Sequence, residues 1–533
     1  MSSHAHDVVV VGAGFAGLYA LHAARSADLT AVCLEAADGI GGTWYHNRYP
    51  GCRCDVESID YSYSFDEQLQ NDWVWSERYA TQPEILAYLN YVADRFDLRR
   101  DIRLDSRVES ARFDEAASQW HLTTAGGHEY HAGHVIFATG ALSAPITPDI
   151  PGVSDFAGEV YYTAQWPEPG PDLAGKRVGV IGTGSSGIQA VPVIAEEAAE
   201  LTVFQRTANY SVPAHNRPLT EEDQERIRRE YPDRRAKSRT SGGGSPHEAH
   251  PKKASEATER ERQEAFESTW NTGGVLFSKT FPDQLSDLEA NRYAQRFFAA
   301  KIREKVRDPR VLDDLTPTDH PLGAKRICTD SGYYETFNRD HVRLVNLRRD
   351  PISRITADAV VTGTERHELD VLVFATGFDA MTGTLNKIDP RGLDGATIRE
   401  SWADGPLSYL GMFVPGFPNM FVLNGPGSPA VLANMVLTSE QQVDWVIRLL
   451  VDARERGVTQ VEARADAAEK WNGRVEELAE RTLFHHADSW YVGANVEGKK
   501  RTFMLYAAGL GNYAEDCETV RANGYEGLIL STR

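Results

Sequence analysis

The chain contains few cysteines and no Cys-x-x-Cys pair. Only five of its 533 residues are cysteine. This odd, scattered set predicts reduced thiols rather than a disulfide framework or a zinc site. Cys52 and Cys54 are too close in sequence to form an ordinary disulfide. Enzymes that reduce substrates through a closely spaced redox pair are therefore disfavoured, and the histidines, including the neighbours His485 and His486, lack the spacing of a metal site.

Long apolar runs and an excess of positive charge are also absent. No apolar stretch approaches 18 residues, so the sequence predicts no membrane span. The net charge of −21 disfavours nucleic acid as a partner. The first residues run directly into an apolar strand pattern, which leaves no room for a signal peptide. We therefore expect a cytoplasmic protein, either a monomer or a weak homo-oligomer.

Two glycine-rich fingerprints of the G-x-G-x-x-G type are present, each between a strand pattern and a helix pattern. The first follows Val8–Val11 and the second follows Val178–Ile181. The residues concerned are Gly12, Gly14 and Gly17 in the first, and Gly182, Gly184, Ser185, Ser186 and Gly187 in the second. Such glycines let the backbone approach a pyrophosphate at a helix N-terminus. Two copies in this context predict two dinucleotide sites.

The residue after the next strand distinguishes the two sites. Glu35 stands 23 residues beyond Gly12, where a carboxylate accepts hydrogen bonds from ribose hydroxyls and repels a 2′-phosphate, so FAD or NAD fits. At the second site, Arg206 and Thr207 offer a cationic fork and a hydroxyl, which suit the 2′-phosphate of NADPH. A flavin beside a nicotinamide predicts hydride transfer between them.

The order of the apolar runs predicts an α/β fold with two nested Rossmann-like domains and a helical insertion. Two buried-strand patterns end in Ala-Thr-Gly, at residues 138–140 and 375–377, where we expect the chain to cross between domains. The densely charged residues 219–267 predict two solvated helices joined by a mobile loop at 241–246. The predicted segments are FAD domain 1–145, NADP domain 150–212, insertion 213–324, NADP domain 325–384 and FAD domain 385–533.

Two further motifs carry a family resemblance. Gly41–Asp55 has every defined position of a G-G-x-W-x-x-x-x-Y-P-G-x-x-x-D pattern, and Phe156–Pro167 has all but one of F-x-G-x-x-x-H-x-x-x-W-P. Tyr162 stands where the second pattern has histidine. In these motifs the chain resembles the type I Baeyer–Villiger monooxygenases. In the stretches 60–65, 79–89 and 329–336 it looks most like the steroid and phenylacetone monooxygenase branch. Trp166 and Pro167 disfavour the related flavin-containing and N-hydroxylating monooxygenases.

The resemblance implies roles for individual residues. Asp55 aligns with the family's active-site acid, and Lys325 and Arg326 align with its Lys-Arg pair. The resemblance also implies that Asp55 and Lys325 contact a cofactor. The other implied residues are Gly42, Thr43 and Trp44 at the cofactor, Trp490 on the nicotinamide side, Ala430, Val431, Leu432 and Met435 with Trp490 at the ketone pocket, and Phe156, Gly158, Tyr162 and Trp166 in the interdomain linker. Tyrosine cannot become cationic near neutral pH, so Tyr162 could uncouple NADPH oxidation from oxygenation.

The chemistry of arginine gives an independent reason to expect Arg326 in the active site. A guanidinium cannot lose its proton, so it stabilises both a C4a-peroxyflavin anion and the oxyanion formed by its attack on a carbonyl. The implied function is FAD- and NADPH-dependent oxidation of a ketone by O2 to an ester or lactone. No charged residue lies between Gly425 and Leu437, which favours bulky ketones, and the resemblance implies aryl, large cyclic or steroid ones. The alternatives are an S- or N-oxygenating flavin monooxygenase and a non-enzymatic FAD-binding redox sensor.

Overall fold

The computed structural model describes residues 4–532. The strands are β1 (His4–Val11), β2 (Ala31–Leu34), β3 (Ile102–Arg103), β4 (Val108–Asp114), β5 (Gln119–Thr124), β6 (Glu129–Phe137), β7 (Glu159–Tyr162), β8 (Arg177–Ile181), β9 (Glu200–Gln205), β10 (Ser211–Pro213), β11 (Cys328–Asp330), β12 (Val342–Asn346), β13 (Ile352–Thr356), β14 (Ala359–Thr362), β15 (Arg366–Glu368), β16 (Val371–Phe374), β17 (Met420–Val422), β18 (Gln460–Ala463) and β19 (Leu528–Ser531).

The helices alternate with these strands in the first half of each nucleotide fold and cluster in the insertion. They are α1 (Phe15–Ser26), α2 (Thr43–His46), α3 (Glu67–Asp72), α4 (Gln82–Arg95), α5 (Ser185–Glu197), α6 (Glu221–Thr240), α7 (Glu259–Thr272), α8 (Leu288–Arg303), α9 (Pro309–Leu315), α10 (Tyr333–Thr336), α11 (Gly383–Ile388), α12 (Ile398–Ser401), α13 (Met435–Glu455), α14 (Ala465–Glu480) and α15 (Leu510–Ala522). Over residues 4–532 no helix is long and apolar enough to cross a membrane.

The first sheet has the order β3-β2-β1-β6-β5-β4, with β17 also paired to β6. Strands β1, β2, β3, β6 and β17 are parallel, and β4 and β5 extend the sheet in antiparallel fashion. Val8, Val9 and Val10 of β1 are fully buried, which is typical of a parallel strand covered on both faces. The predicted α/β class is confirmed.

The second sheet is parallel throughout, in the order β12-β9-β8-β16-β7. After β6 the chain leaves the first sheet and enters the second at β7, and after β16 it returns to the first sheet at β17. Both crossings follow an Ala-Thr-Gly sequence. This order of strands produces the nested arrangement, whereas the domain boundaries themselves remain predictions.

The insertion is held more firmly than its charge predicts. Helix α6 has the predicted charged surface, but Arg235 is only 4% exposed. Its guanidinium donates to the Ser62 hydroxyl at 2.7 Å and to the Asp60 carbonyl at 3.2 Å. Arg234 donates to both carboxylate oxygens of Asp60 at 2.7 Å. Buried charges need such partners, so these two arginines anchor α6 to the segment at residues 60–62.

The loop predicted to be mobile, residues 241–246, is docked against the rest of the chain. The Gly243 carbonyl accepts a hydrogen bond from the Asn434 amide at 2.9 Å, and the Gly242 carbonyl accepts one from Leu510 at 3.1 Å. Gly244 has a φ of +69°, and a Cβ there would lie 2.7 Å from that of Asn434. The loop thus packs against the N-terminal end of α13, a contact that local sequence does not reveal, and its mobility remains a prediction.

Candidate active site

The first glycine turn is shaped to receive a phosphate group. Gly12 has a φ of +103°, and a Cβ on Gly17 would lie 1.7 Å from the Gly12 carbonyl oxygen, so both positions require glycine. Helix α1 begins after Gly14 without a side-chain cap, which leaves its first N–H groups available to an anion. Gly14 and Gly42 approach each other closely beside it, with Thr43 and Trp44 following at the start of α2. These features fit FAD.

Glu35 lies at the end of β2 and is 5% exposed. Its carboxylate accepts hydrogen bonds from the backbone N–H groups of Ala13 at 2.7 Å and Ala37 at 2.9 Å. An ionised carboxylate has lone pairs left for further donors, such as ribose hydroxyls. The predicted ribose ligand is therefore also a fixed part of the loop that surrounds it.

The second glycine turn repeats this geometry. A Cβ on Gly187 would lie 2.2 Å from the Gly182 carbonyl oxygen, and α5 begins after Gly184 without a side-chain cap. A Cβ on Gly184 would meet no atom within 4 Å, so space is open in front of the helix. Ser185 bonds Cys328 at 3.3 Å between Oγ and Sγ, and Ser186 follows it in the first turn of α5. This cradle fits the pyrophosphate of NADP.

A cluster of cations lies beside that turn. Burial lowers the pKa of Lys325, and Arg206 and Arg348 lower it further, while Asp319 opposes them. Arg348 donates to the Thr207 hydroxyl at 3.2 Å and also pairs with Asp319. Positive groups that repel one another are stabilised by an anion such as a 2′-phosphate. The structure thus brings the predicted Arg206, Thr207 and Lys325 together and adds Arg348, which no local motif marks.

Arg326 and Asp55 meet at one wall of a cavity. The guanidinium donates from Nε and Nη2 to the two oxygens of Asp55, both at 2.7 Å, and from Nη1 to the Val431 carbonyl at 2.6 Å. Burial opposes the charge of Arg326, but Asp55 outweighs it and raises the pKa of Arg326 further. These bonds leave two guanidinium N–H groups for other partners. A fixed cation therefore stands at the cavity wall.

Tyr491 is an active-site residue that sequence reasoning missed. It lines the same cavity, and its buried phenol interacts electrostatically with Arg326. Burial raises its pKa, so the hydroxyl stays protonated and can donate a hydrogen bond. The predicted Trp490 is its half-buried neighbour, with ring centroids 4.5 Å apart. The only sequence signal for Tyr491 is its position next to Trp490.

The cavity has a volume of about 570 Å³. Val431 and Leu432 line it, as predicted, whereas Ala430, Met435 and Trp490 do not belong to its lining. The cavity is less apolar than residues 425–437 predict, because the insertion and residues 55–60 supply charged groups to its wall. Those charged groups include Asp55, Glu57, Asp60, Arg234, Lys279 and Arg326.

The linker residues lie on the second sheet rather than in the cavity. Tyr162 ends the edge strand β7 and stacks on Phe374 of β16, with ring centroids 5.2 Å apart. Phe156 and Trp166 are buried. A Cβ on Gly158 would lie 2.4 Å from the Asp370 carbonyl oxygen, so glycine is required there. Tyr162 therefore packs as part of the sheet.

Cysteine and histidine side chains lie at the edges of the site, where Cys328 contacts Ser185 and His247 lines the cavity. All five cysteines are buried free thiols. In the described part of the chain, no group of three His, Cys, Asp or Glu side chains is arranged to hold a metal ion.

Comparisons with known proteins agree with this geometry. Residues 9–240 match the family model described as pyridine nucleotide-disulphide oxidoreductase. A Baeyer–Villiger monooxygenase of Pseudooceanicola batsensis is 42% identical over 98% of this chain and 96% of its own. A phenazine N-monooxygenase of Lysobacter antibioticus is 41% identical over 98% of this chain and 97% of its own.

Solved structures show the same likeness over the whole chain. An oxidised steroid monooxygenase bound to NADP is 53% identical, with a TM-score of 0.96 and coverage of 99% of this chain and 100% of that one. OTEMO in complex with FAD and NADP is 39% identical, also with a TM-score of 0.96, over 99% of this chain and 100% of that one. Fold, cofactor cradles and sequence thus agree along the full length.

Proposed function

Because this chain belongs to the Baeyer–Villiger monooxygenases, flavoproteins that use FAD and NADP, we propose that it oxidises bulky ketones to esters or lactones. Aryl, large cyclic and steroid ketones are the proposed substrates. One atom of O2 enters between the carbonyl carbon and a neighbouring carbon. The other leaves as water, and NADPH supplies the two electrons. The observation that carries this proposal is the Arg326–Asp55 pair at the wall of a cavity large enough for such ketones.

The two glycine cradles would hold the cofactors. FAD would rest on α1 and Glu35, and NADPH would rest on α5 with its 2′-phosphate among Arg206, Lys325 and Arg348. When bound, FAD takes electrons from NADPH and activates O2. The protein's own contribution is to position these groups around one cavity and to limit the access of water.

Arg326 stabilises the negative charge that develops on oxygen during attack on the ketone. Asp55 holds the guanidinium through two bonds, and the Val431 carbonyl holds it through a third. A cation fixed in this way does not have to reorganise as charge appears, which is the basis of oxyanion stabilisation. The Tyr491 hydroxyl, protonated beside Arg326, is a second donor at the same place.

The cavity supports the choice of bulky ketones. Its volume of about 570 Å³ falls within the roughly 300–1,000 Å³ of typical small-molecule sites. Val431 and Leu432 supply apolar surface next to Arg326. Burying a ring system against such a wall contributes on the order of 25 cal/mol per Å2 of apolar area. Acetone would gain far less from this wall than an aryl or steroid ketone.

Replacing Arg326 with alanine tests the proposal. Anaerobic reduction of the flavin by NADPH should survive, whereas ester formation should fall by about 100-fold or more, as for loss of an oxyanion donor. Stopped-flow absorbance measures the first step and mass detection of products measures the second. The matched control is Arg310→Ala, at a side chain that is 90% exposed. Wild-type ester yield in the Arg326 variant would refute the assigned role.

N-Oxygenation is the second candidate, because one relative is named as a phenazine N-monooxygenase. The same product assay with an aromatic amine and a sulfide separates the two chemistries. Preferential formation of N-oxide or sulfoxide, with no ester from any ketone, would favour the second candidate.

We further propose a cytoplasmic enzyme that is a monomer or a weak homo-oligomer. The need for NADPH and the five buried free thiols support a reducing compartment. Light scattering coupled to gel filtration measures the assembly state.

A further inference from the structure

Lys279 is a cation in the active-site cavity that the mechanism above does not use. It ends the short 3₁₀ helix Val275–Lys279 in the insertion. It lines the cavity together with Arg326 and Val431. Its Nζ lies 3.2 Å from the position that a Cβ on Gly243 would take, so the docked loop leaves room for the ammonium group.

No group in the described part of the chain neutralises Lys279. Among residues 4–532 its Nζ makes no hydrogen bond or ion pair, and burial followed by the charge of Arg326 lowers its pKa without any opposing carboxylate. Ionisable groups from every neighbouring segment lie around this cavity. They are Asp55, Glu57, Asp60, Arg78, Arg234, His247, Glu248 and Arg326.

The carboxylates that line the cavity are either paired with arginines or exposed to solvent. Asp55 pairs with Arg326 through two bonds. Asp60 pairs with Arg234, and Glu57 pairs with Arg78 at 2.6 Å and with Arg234 at 3.2 Å. Glu248 is exposed to solvent and does not shift the pKa of Lys279. The Arg326–Asp55 pair is neutral as a whole, so the wall next to it carries the uncompensated charge of Lys279.

An ammonium group partly removed from water is costly unless an anion meets it. Residues 4–532 supply no such anion, and the cavity is the space into which a substrate would enter. We propose that Lys279 binds a carboxylate of the substrate, so that the preferred ketones are keto acids with an apolar body. This inference rests on the ketone oxidation proposed above. Lys279 would select the substrate, while Arg326 acts at the reacting oxygen.

A matched pair of substrates tests this selection. 5-Oxo-5-phenylpentanoate and its methyl ester share the aryl ketone and differ in charge. The wild-type enzyme should prefer the acid, and Lys279→Met should lower the acid-to-ester ratio of kcat/KM by about 10-fold or more, as expected for a lost charged hydrogen bond. Lys279→Arg should retain most of the preference. Lys470→Met, at a side chain that is 81% exposed, is the control and should change nothing.

A binding measurement gives a readout that does not require turnover. Titrating the oxidised holoenzyme with the keto acid, followed by the flavin absorbance difference, should give a dissociation constant that rises in Lys279→Met. A wild-type enzyme that oxidises the ester but shows no preference for the acid would overturn this inference and leave the proposed function standing. If neither ketone is oxidised, the proposed function fails, and the titration still tests Lys279. If Lys279→Met lowers kcat/KM equally for acid and ester, or raises only the KM for NADPH, then Lys279 has a different function and this inference is overturned.

Discussion

The two nucleotide-binding folds have glycine turns of the same geometry but differ in the charge of the side chains beside them. In both, glycines bring the backbone to the N-terminus of an uncapped helix. Beside the first, the discriminating residue is the buried Glu35, which is bound to two backbone N–H groups. Beside the second, the exposed Arg206 stands near Lys325 and Arg348. The two sites thus share a backbone geometry, and we propose that side-chain charge decides which cofactor each one accepts.

The difference also predicts how the loss of these side chains would affect stability and cofactor binding at each site. Glu35 completes the hydrogen bonds of its own loop, so its loss should disturb both the fold and the cofactor. Asp319 offsets the cations at the second site only in part, so their loss should affect ligand preference and leave the fold intact. Three substitutions at the two sites test this contrast, from the largest expected effect to the smallest, and a fourth, in the linker, should have the least effect of all.

Glu35→Gln should have the largest effect. Its amide cannot accept bonds at both ends, so a backbone N–H of Ala13 or Ala37 loses its partner. A lost charged hydrogen bond at a buried position costs about 1.5–3 kcal/mol, which weakens FAD binding by roughly 10- to 150-fold. The flavin content after gel filtration and the FAD dissociation constant measure this, and thermal unfolding should show a lower midpoint.

The control for Glu35 is Glu109→Gln, an exposed position on strand β4 of the same sheet. It should retain its flavin and its unfolding midpoint. Full flavin occupancy and unchanged stability in Glu35→Gln would contradict the contrast between the two sites.

Arg206→Ala should have an intermediate effect. Losing one charged contact to the 2′-phosphate costs about 1.5–3 kcal/mol, so the preference for NADPH over NADH should narrow by roughly 10- to 150-fold. Anaerobic flavin reduction by each coenzyme measures this preference. Flavin content and the unfolding midpoint should stay at wild-type values.

Arg348→Ala sharpens the same comparison. Arg348 already pairs with Asp319, so its guanidinium should contribute less to phosphate binding than that of Arg206. Its effect on coenzyme preference should therefore be the smaller of the two. A preference that survives both substitutions would mean that the phosphate lies elsewhere.

Tyr162→His should have the smallest effect. Tyr162 stacks on Phe374 at the edge of the second sheet, and a histidine ring can retain part of this contact. The substitution restores the residue of the linker pattern, so the ester formed per NADPH consumed should stay constant or rise. Loss of folding or of flavin would show that the stacked phenol is indispensable to the sheet, contrary to this expectation.

Local sequence was sufficient for the parts of the molecule whose geometry is local. Short-range periodicity and turn chemistry predict the strands at Val8–Val11 and Val178–Ile181 and the glycine turn that follows each of them. These features depend on neighbours within a few residues, so the sequence states them directly. Asp55, by contrast, was identified through the resemblance of Gly41–Asp55 to a family motif.

Tertiary structure decided which distant groups meet. The charges of α6 predict a solvated helix, but Arg235 is buried because its acceptors lie near residues 60–63. Tyr491 and Lys279 reach the Arg326 cavity from segments about 200 residues apart in the sequence, which no local pattern records. The sequence by itself determined two nucleotide cradles and their charges. Only tertiary packing determined the cavity, because contacts between residues far apart in the sequence set its walls and leave Lys279 without a partner among the described residues.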